Sequence, residues 1–276
     1  MNDPLPISVV VLSHNEAANL PRCLRALRGC AEVVVVDDGS TDDSQRIAAE
    51  LGARVVVHPF ASFADQRNWA LAEAGLRHEW TLHLDADEVV TPELLDEIHR
   101  RIPTLVPGNV GQLARKIMLG ERWLKHSADY PVYVPRLIHR QGPRFVMRGH
   151  GETITTDPAA SVYFTEPLLH YSFSKGWAEW RTRHQRYALA EAARIRSGAA
   201  GVSWCALFSR DTATRRAAAR ALSYRMPCRP MLRFVYAYIL RLGFLDGAAG
   251  WRFCLEMAGY ERMINAALRQ PVPPPS

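Results

Sequence analysis

Three carboxylates stand within four positions in Asp85-Ala86-Asp87-Glu88, directly after the apolar run Leu82-His83-Leu84. Carboxylates this close repel one another, and a proton or a cation between them relieves the repulsion. An all-oxygen cluster suits a hard divalent ion such as Mg²⁺ or Mn²⁺, which commonly holds a substrate phosphate as well. The chemistry to expect is a metal-dependent transfer from a phosphate-bearing donor. The plainer alternative is a strand end carrying ordinary solvated acids.

The elements around this stretch decide between the two. Ile7–Leu12 is a continuous β-branched apolar run of the kind that fills a strand buried on both faces. The polar turn Ser13-His14-Asn15-Glu16 follows, and then helix-like spacing from Ala17 to Arg28. A second strand, Glu32–Val36, runs into Asp37-Asp38-Gly39-Ser40, where Ser40 and Asp43 read as a capping box for a helix over 42–51. A third strand spans Arg54–His58, Ser62 can cap a helix from Phe63 to Gly75, and a fourth strand, Trp80–Leu84, delivers the acids. Thr91 and Pro92 have the types expected at the cap and first position of the next helix. Such alternation of strand and helix predicts an α/β fold, a mostly parallel sheet with helices on both faces. Ligands of such sheets bind beyond the carboxyl ends of the strands. Ser13–Glu16, Asp37-Asp38 and Asp85-Ala86-Asp87 all fall there, so separate strands bring polar groups to one rim.

The pattern changes after Val110. Leu113–Leu119, Tyr133–His139 and Arg144–Met147 read as shorter strands, Arg148–Glu152 as a flexible polar stretch, and Leu168–Tyr171 as an apolar step ending in histidine. Helices are expected over 175–196, 203–223 and 251–268, with a break at 226–230, a turn at 246–250 and a frayed proline-rich tail over 271–275.

ISVVVLSHNE (residues 7–16), VVVVDDGSTD (33–42), Arg67-Asn68 within a helix and Asp85-Ala86-Asp87 together resemble the family 2 glycosyltransferases of the GT-A fold. Arg148–Glu152, His170 and the segment from Arg229-Pro230 through Asp246-Gly247 to Gly250 are similar to a narrower group, the bacterial lipopolysaccharide-core and lipooligosaccharide β-glucosyltransferases. The resemblance implies a Rossmann-like GT-A domain over 1–173 that binds the nucleotide sugar and carries out catalysis. It also implies a basic helical region over 174–276 facing the acceptor or a membrane. By resemblance, Asp38 with Ser13 and Glu16 would hold the nucleobase and ribose, and Asp37 would stay clear of the ligand. Asp85 would face the ribose or metal, Asp87 would ligate the metal with His170 as a further ligand, and Arg67 would steady the diphosphate. Glu152 would be the base that activates the acceptor, with Asp129 and Glu121 as the other acids in that part of the chain. His14 stands where relatives often carry tyrosine, which alters contacts to the base. The reaction so implied is an inverting, metal-dependent hexosyl transfer, glucose from UDP-glucose onto a lipopolysaccharide core. A protein, polysaccharide or lipid-carrier acceptor is the alternative.

Charge bears on the partners. Residues 175–276 hold 17 Lys+Arg against 6 Asp+Glu, whereas residues 1–174 hold 17 against 22. A basic third on a mildly acidic body calls for an anionic partner: a glycolipid acceptor, an anionic membrane face or nucleic acid. Nucleic acid is disfavoured, because no recognition motif for it is present and it would leave the acidic rim without a purpose. Five cysteines with no C-x-x-C pair indicate neither a zinc site nor a disulfide framework. No signal peptide or membrane span is evident, since Arg233, Arg241 and Asp246 interrupt the best apolar stretch. A cytoplasmic protein lying peripherally on the inner face of the membrane is the expectation.

Overall fold

Strand β1 (Leu5–Ser13) lies between β2 (Cys30–Asp37) and β4 (Trp80–Asp85), parallel to both, and β3 (Arg54–Val57) extends the sheet beyond β2. These belong to a computed structural model that describes residues 3–148, 151–197, 204–211, 214–215, 218–219, 222, 226 and 228–270. The chain divides into two compact units, one of Met1–Trp123 with Asp129–Lys175, the other of Leu124–Ala128 with Gly176–Ser276.

In the first unit β1 is buried on both faces because its apolar residues do not alternate with polar ones. Ile7, Val9 and Val11 pack with Leu20, Leu24 and Leu27 of the α1 region and with Leu94 and Ile98 of α4. Val10 points the other way, to Val34, Val36, Ala70, Leu71 and Phe145. Helices α1 (Leu20–Ala26), α2 (Ser44–Glu50), α3 (Phe63–Glu73) and α4 (Pro92–Arg101) thus cover both sides. Ser62 and Thr91 cap α3 and α4 as expected, accepting from Asp65 N and Leu94 N at 3.1 Å each. The capping box at Ser40 does not form. Ser40 Oγ instead donates to the buried Asp37 at 2.5 Å, and α2 begins only at Ser44.

The second half of this unit turns the sheet mixed. β8 (Tyr133–His139) runs antiparallel to both β4 and β6 (Val110–Leu119), and β12 (Leu168–His170) runs parallel to β6 and antiparallel to β5 (Glu88–Val90). Two short strands, β7 (Arg122–Trp123) and β11 (Ser161–Tyr163), also pair with β6. The sheet order is β3-β2-β1-β4-β8-β6-β12-β5. A separate antiparallel hairpin, β9 (Phe145–Arg148) and β10 (Gly151–Ile154), sets Glu152 across from Met147.

The second unit is helical. α5 (Gly176–Arg196) pairs with a long helix, α7 (Gly247–Arg269), and a short helix, α6 (Arg229–Val235), also belongs to it. Arg181 bonds Glu256 at 2.9 Å, and Arg196 closes the end of α7 by donating to Ala267 O and Gln270 O at 2.7 and 2.6 Å. The expected turn at 246–250 is the first turn of α7. Gly250 lets the helix start there, since a Cβ at that position would lie 2.2 Å from Gly243 O. Of the expected 203–223 helix, Trp204–Phe208 is a 3₁₀ turn, positions 214–215, 218–219 and 222 are helical, and the rest of the later part lies outside the described residues. The expected frayed tail over 271–275 also lies outside them. Among the described residues no helix is long and apolar enough to cross a membrane.

Asp246 fixes the small insert 124–128 in this unit. Its Oδ2 accepts from His126 N at 3.0 Å, Ser127 N at 2.8 Å and Ser127 Oγ at 2.7 Å. Buried donors left unpaired are costly, so Asp246→Ala is expected to lower stability by about 2–3 kcal/mol. Urea unfolding followed by the helical circular dichroism signal measures it.

Candidate active site

Parallel pairing puts the ends of three strands side by side. Ser13 is in register with Asp37, and Leu12 with Asp85. The loop after β1 is braced against the loop after β2. Asn15 takes a left-handed φ of 53°, its side chain accepts from Thr41 N at 2.8 Å, and its N–H donates to Ser40 Oγ at 2.8 Å. Asp37 is wholly internal, accepting from Ser40 N and Gln45 Nε2 at 2.7 Å each, and so shapes the turn. Asp38 is the acid left at the rim, paired with His14 Nδ1 at 2.5 Å. Glu16 holds Lys175 and Asn19 at 2.6 Å each. Burial raises its pKa despite those two donors, and Asp87 nearby adds to the rise.

The densest chemistry lies one strand over. Arg136, buried in β8, forks onto Glu88 with two bonds of 2.9 Å and also reaches Asp85 Oδ2 and Glu152 Oε1 at 2.9 Å each. Arg67, fully buried on α3, donates to Asp85 Oδ1 at 2.6 Å and to Glu152 Oε1 at 3.2 Å. Two guanidiniums therefore bind three carboxylates. Burial alone would raise Asp85 and Glu152. The arginines outweigh it, Arg136 most for Asp85 and Arg67 most for Glu152, and hold both carboxyls below the usual range. His83 lies behind them, its ring kept neutral first by burial and then by the two guanidiniums. In this arrangement Arg67 orients carboxylates, and both oxygens of Asp85 accept from guanidiniums.

Asp87 and His170 form a second group. Strand β12 lays His170 opposite Glu88, and Nε2 comes within 3.4 Å of Asp87 Oδ2. Among the described residues no three His, Cys, Asp or Glu side chains converge closely enough to hold a metal by themselves. A carboxylate and an imidazole nonetheless fit a divalent ion whose remaining positions go to diphosphate oxygens and water. Asp85, Asp87, Glu88 and Glu152 also outnumber Arg67, Arg136 and the nearby Arg115, so negative charge is in excess where a cation would sit. Tyr171 N bonds Asp87 O at 2.8 Å, and Tyr171 lines a cleft of about 310 Å³ with Asn19, Arg22, Met118 and Phe173. That volume is at the lower end of small-ligand sites.

The residues picked from the sequence thus fall into three neighbouring sets: Ser13 and Asp38 at the β1–β2 end, Asp85, Arg67 and Glu152 in the arginine cluster, and Asp87 with His170, to which Glu16 is electrostatically linked. Of the other acids considered for the base, Glu121 is exposed and pairs with Arg22 at 3.3 Å. The sequence reading assigns nothing to Arg136 or Lys175, and it counts Glu88 among the clustered acids without a role of its own. Arg136 had a signal: a cation inside the apolar strand Val134-Pro135-Arg136-Leu137-Ile138 needs a buried counter-charge.

The sequence model described as Glycosyl transferase family 2 matches residues 8–164. The chain belongs to glycosyltransferase family 2. An uncharacterized glycosyltransferase of Rickettsia felis is 41% identical over 93 residues, 33% of this chain and 32% of that one. The lipopolysaccharide core biosynthesis glycosyltransferase LpsC of Rhizobium meliloti is 30% identical over 156 residues, 53% of each chain. The matches thus span about a third and about half of those relatives' lengths. A crystal structure of glucosyl-3-phosphoglycerate synthase from Mycobacterium tuberculosis with Mn²⁺, UDP and glucosyl-3-phosphoglycerate is similar at 23% identity and a TM-score of 0.35, covering 41% of this chain and 44% of that one. Likeness at that level adds no weight. The GT-A fold rests on the strand order and the family 2 match.

Removing Arg136 would leave Glu88 buried without its counter-ion. Arg136→Met is expected to cost about 3–5 kcal/mol at neutral pH. The pH dependence should also change sign. In the native protein Asp85 and Glu152 have depressed pKa values, so their stabilisation is full above their ordinary values and is lost as pH falls through the lower folded ones. In the variant, unpaired buried carboxylates bind protons more readily than the unfolded chain does, so mild acid should recover part of the loss. Urea midpoints across the acid range measure both curves.

Proposed function

We propose that this chain is an inverting, metal-dependent hexosyltransferase that moves glucose from UDP-glucose to a lipopolysaccharide-core sugar or similar anionic glycolipid. The observation that carries the reading is the pairing of Asp87 with His170 on the rim where Asp85 and Glu152 are locked by two arginines. The named role of LpsC in lipopolysaccharide core biosynthesis supports the acceptor class.

Transfer forms a bond from an acceptor hydroxyl oxygen to the anomeric carbon and breaks the bond from that carbon to the diphosphate. A divalent cation held by Asp87 and His170 would supply Lewis-acid stabilisation of the departing diphosphate. Ser13, Glu16 and Asp38 line the strand ends where the nucleoside would lie. Glu152 is ionised at neutral pH and takes the hydroxyl proton as the oxygen attacks from the far face, which inverts the centre. Arg67 and Arg136 fix its orientation. A protein that meets a lipid-linked acceptor would work peripherally on the inner face of the cytoplasmic membrane.

Two variants separate the roles. Asp87→Ala should abolish metal-dependent turnover of the donor while the fold persists, and unchanged turnover with the same metal dependence would defeat the proposal. Glu152→Gln should keep donor affinity and lose most transfer, and retained transfer would move the base elsewhere. A thermal-shift panel of nucleotide sugars with Mn²⁺ tests the donor. UDP-glucose should stabilise the protein most, since a ligand that binds only the folded state raises its melting temperature.

A further inference from the structure

Helix α6 continues into a wider helical turn over Tyr236–Leu240, and this combined element is apolar on two sides. Its inner side is accounted for: Ala237 is buried, and the rings of Phe234 and Tyr238 meet Trp251 of α7 at 5.2 and 5.1 Å. Its outer side is not. Met231, Leu232, Tyr236, Ile239 and Leu240 recur at helical spacing and face solvent, Met231 at 60%, Ile239 at 52% and Leu240 at 71% exposure. The next turn adds Phe244 and Leu245, exposed at 46% and 51%. A contiguous apolar strip of this kind marks a contact surface.

The charge along this stretch bears on the partner. Residues 212–245 contain seven arginines and no acidic residue. Within the element itself Arg229 is buried against Glu261 at 2.5 Å, and Arg233 and Arg241 are half-buried beside the strip. A second copy docked about a two-fold axis would set Arg233 and Arg241 against their own counterparts. A nucleic acid would match the arginines and leave the apolar strip in water. A sheet of anionic headgroups over hydrocarbon satisfies both, with the apolar side chains sunk at the headgroup boundary and the guanidiniums among the phosphates.

We propose that the 229–245 element is an in-plane anchor for an anionic lipid bilayer. It rests on the reading of a lipid-linked acceptor only in giving that acceptor a surface on which to be met. The native protein should sediment with phosphatidylcholine vesicles that contain phosphatidylglycerol and stay in solution with phosphatidylcholine alone. The exposed double variant Ile239→Asp with Leu240→Asp should lose binding by about tenfold or more, and Tyr236→Ala should lose less. Both should keep the native melting temperature and the donor-induced shift. Sedimentation with neither vesicle, equal sedimentation with both, or undiminished binding of the double variant overturns the anchor. A native dimer that the double variant splits, seen by light scattering, assigns the strip to a second copy and also overturns it. None of these outcomes changes what Asp87→Ala reports, so the anchor and the transfer reaction fail separately.

Discussion

The fork of Arg136 onto Glu88 is the interaction on which the rim depends. A guanidinium and a carboxylate both removed from water must stay together, because either alone is far costlier than the pair. Glu88 then also accepts from Asp85 N at 3.1 Å, so the pair fixes the backbone where β4 ends. The two remaining contacts of Arg136, to Asp85 and Glu152, tie the central strand end to the β9–β10 hairpin. Arg67 repeats those two contacts from α3. Four elements, α3, the end of β4, β8 and the β9–β10 hairpin, are held at one place by charge pairs with fixed angles, which is what planar guanidiniums provide and lysines would not.

Around that lock the sheet supplies register. Parallel neighbours bring Ser13, Asp37 and Asp85 to one edge without any side chain reaching for another. The antiparallel β5–β12 pair then carries His170 back beside the acids. The mixed second half of the sheet is therefore more than an extension of the first. It brings the imidazole to Asp87 and places Arg136 under Glu88.

Much of this was legible from the residues. The first four strands and the Ser62 and Thr91 caps follow from β-branched runs and local side-chain chemistry, and the structure has them. What escaped is what depends on distant partners. Ser40 looked like a cap because its spacing to Asp43 was right, but a buried Asp37 competes for the same hydroxyl and wins. Gly247–Gly250 looked like a turn because glycine favours turns. Gly247 does turn the chain, with a φ of 64°, but Gly250 serves close backbone approach within the first turn of α7. The resemblance gives Arg67 a diphosphate to steady, and its place on a helix offers no hint that Asp85 and Glu152 will accept from its side chain. The Arg136–Glu88 pair spans 48 positions, a separation at which no local pattern operates.

The same lock constrains how the proposed reaction could use Glu152. A carboxylate held below its usual pKa by two cations stays ionised at any working pH, yet it is a weak base toward a neutral hydroxyl. It gains strength only as the attacking oxygen becomes acidic, when its bond to the anomeric carbon is already forming. Proton transfer would then be late, and the side chain's main service would be orientation of the hydroxyl. Both guanidiniums contact Oε1 of Glu152, which directs the other oxygen to that task. In such a site precise placement does more than basicity, which is consistent with two buried arginines that hold Glu152 in the same grip as Asp85.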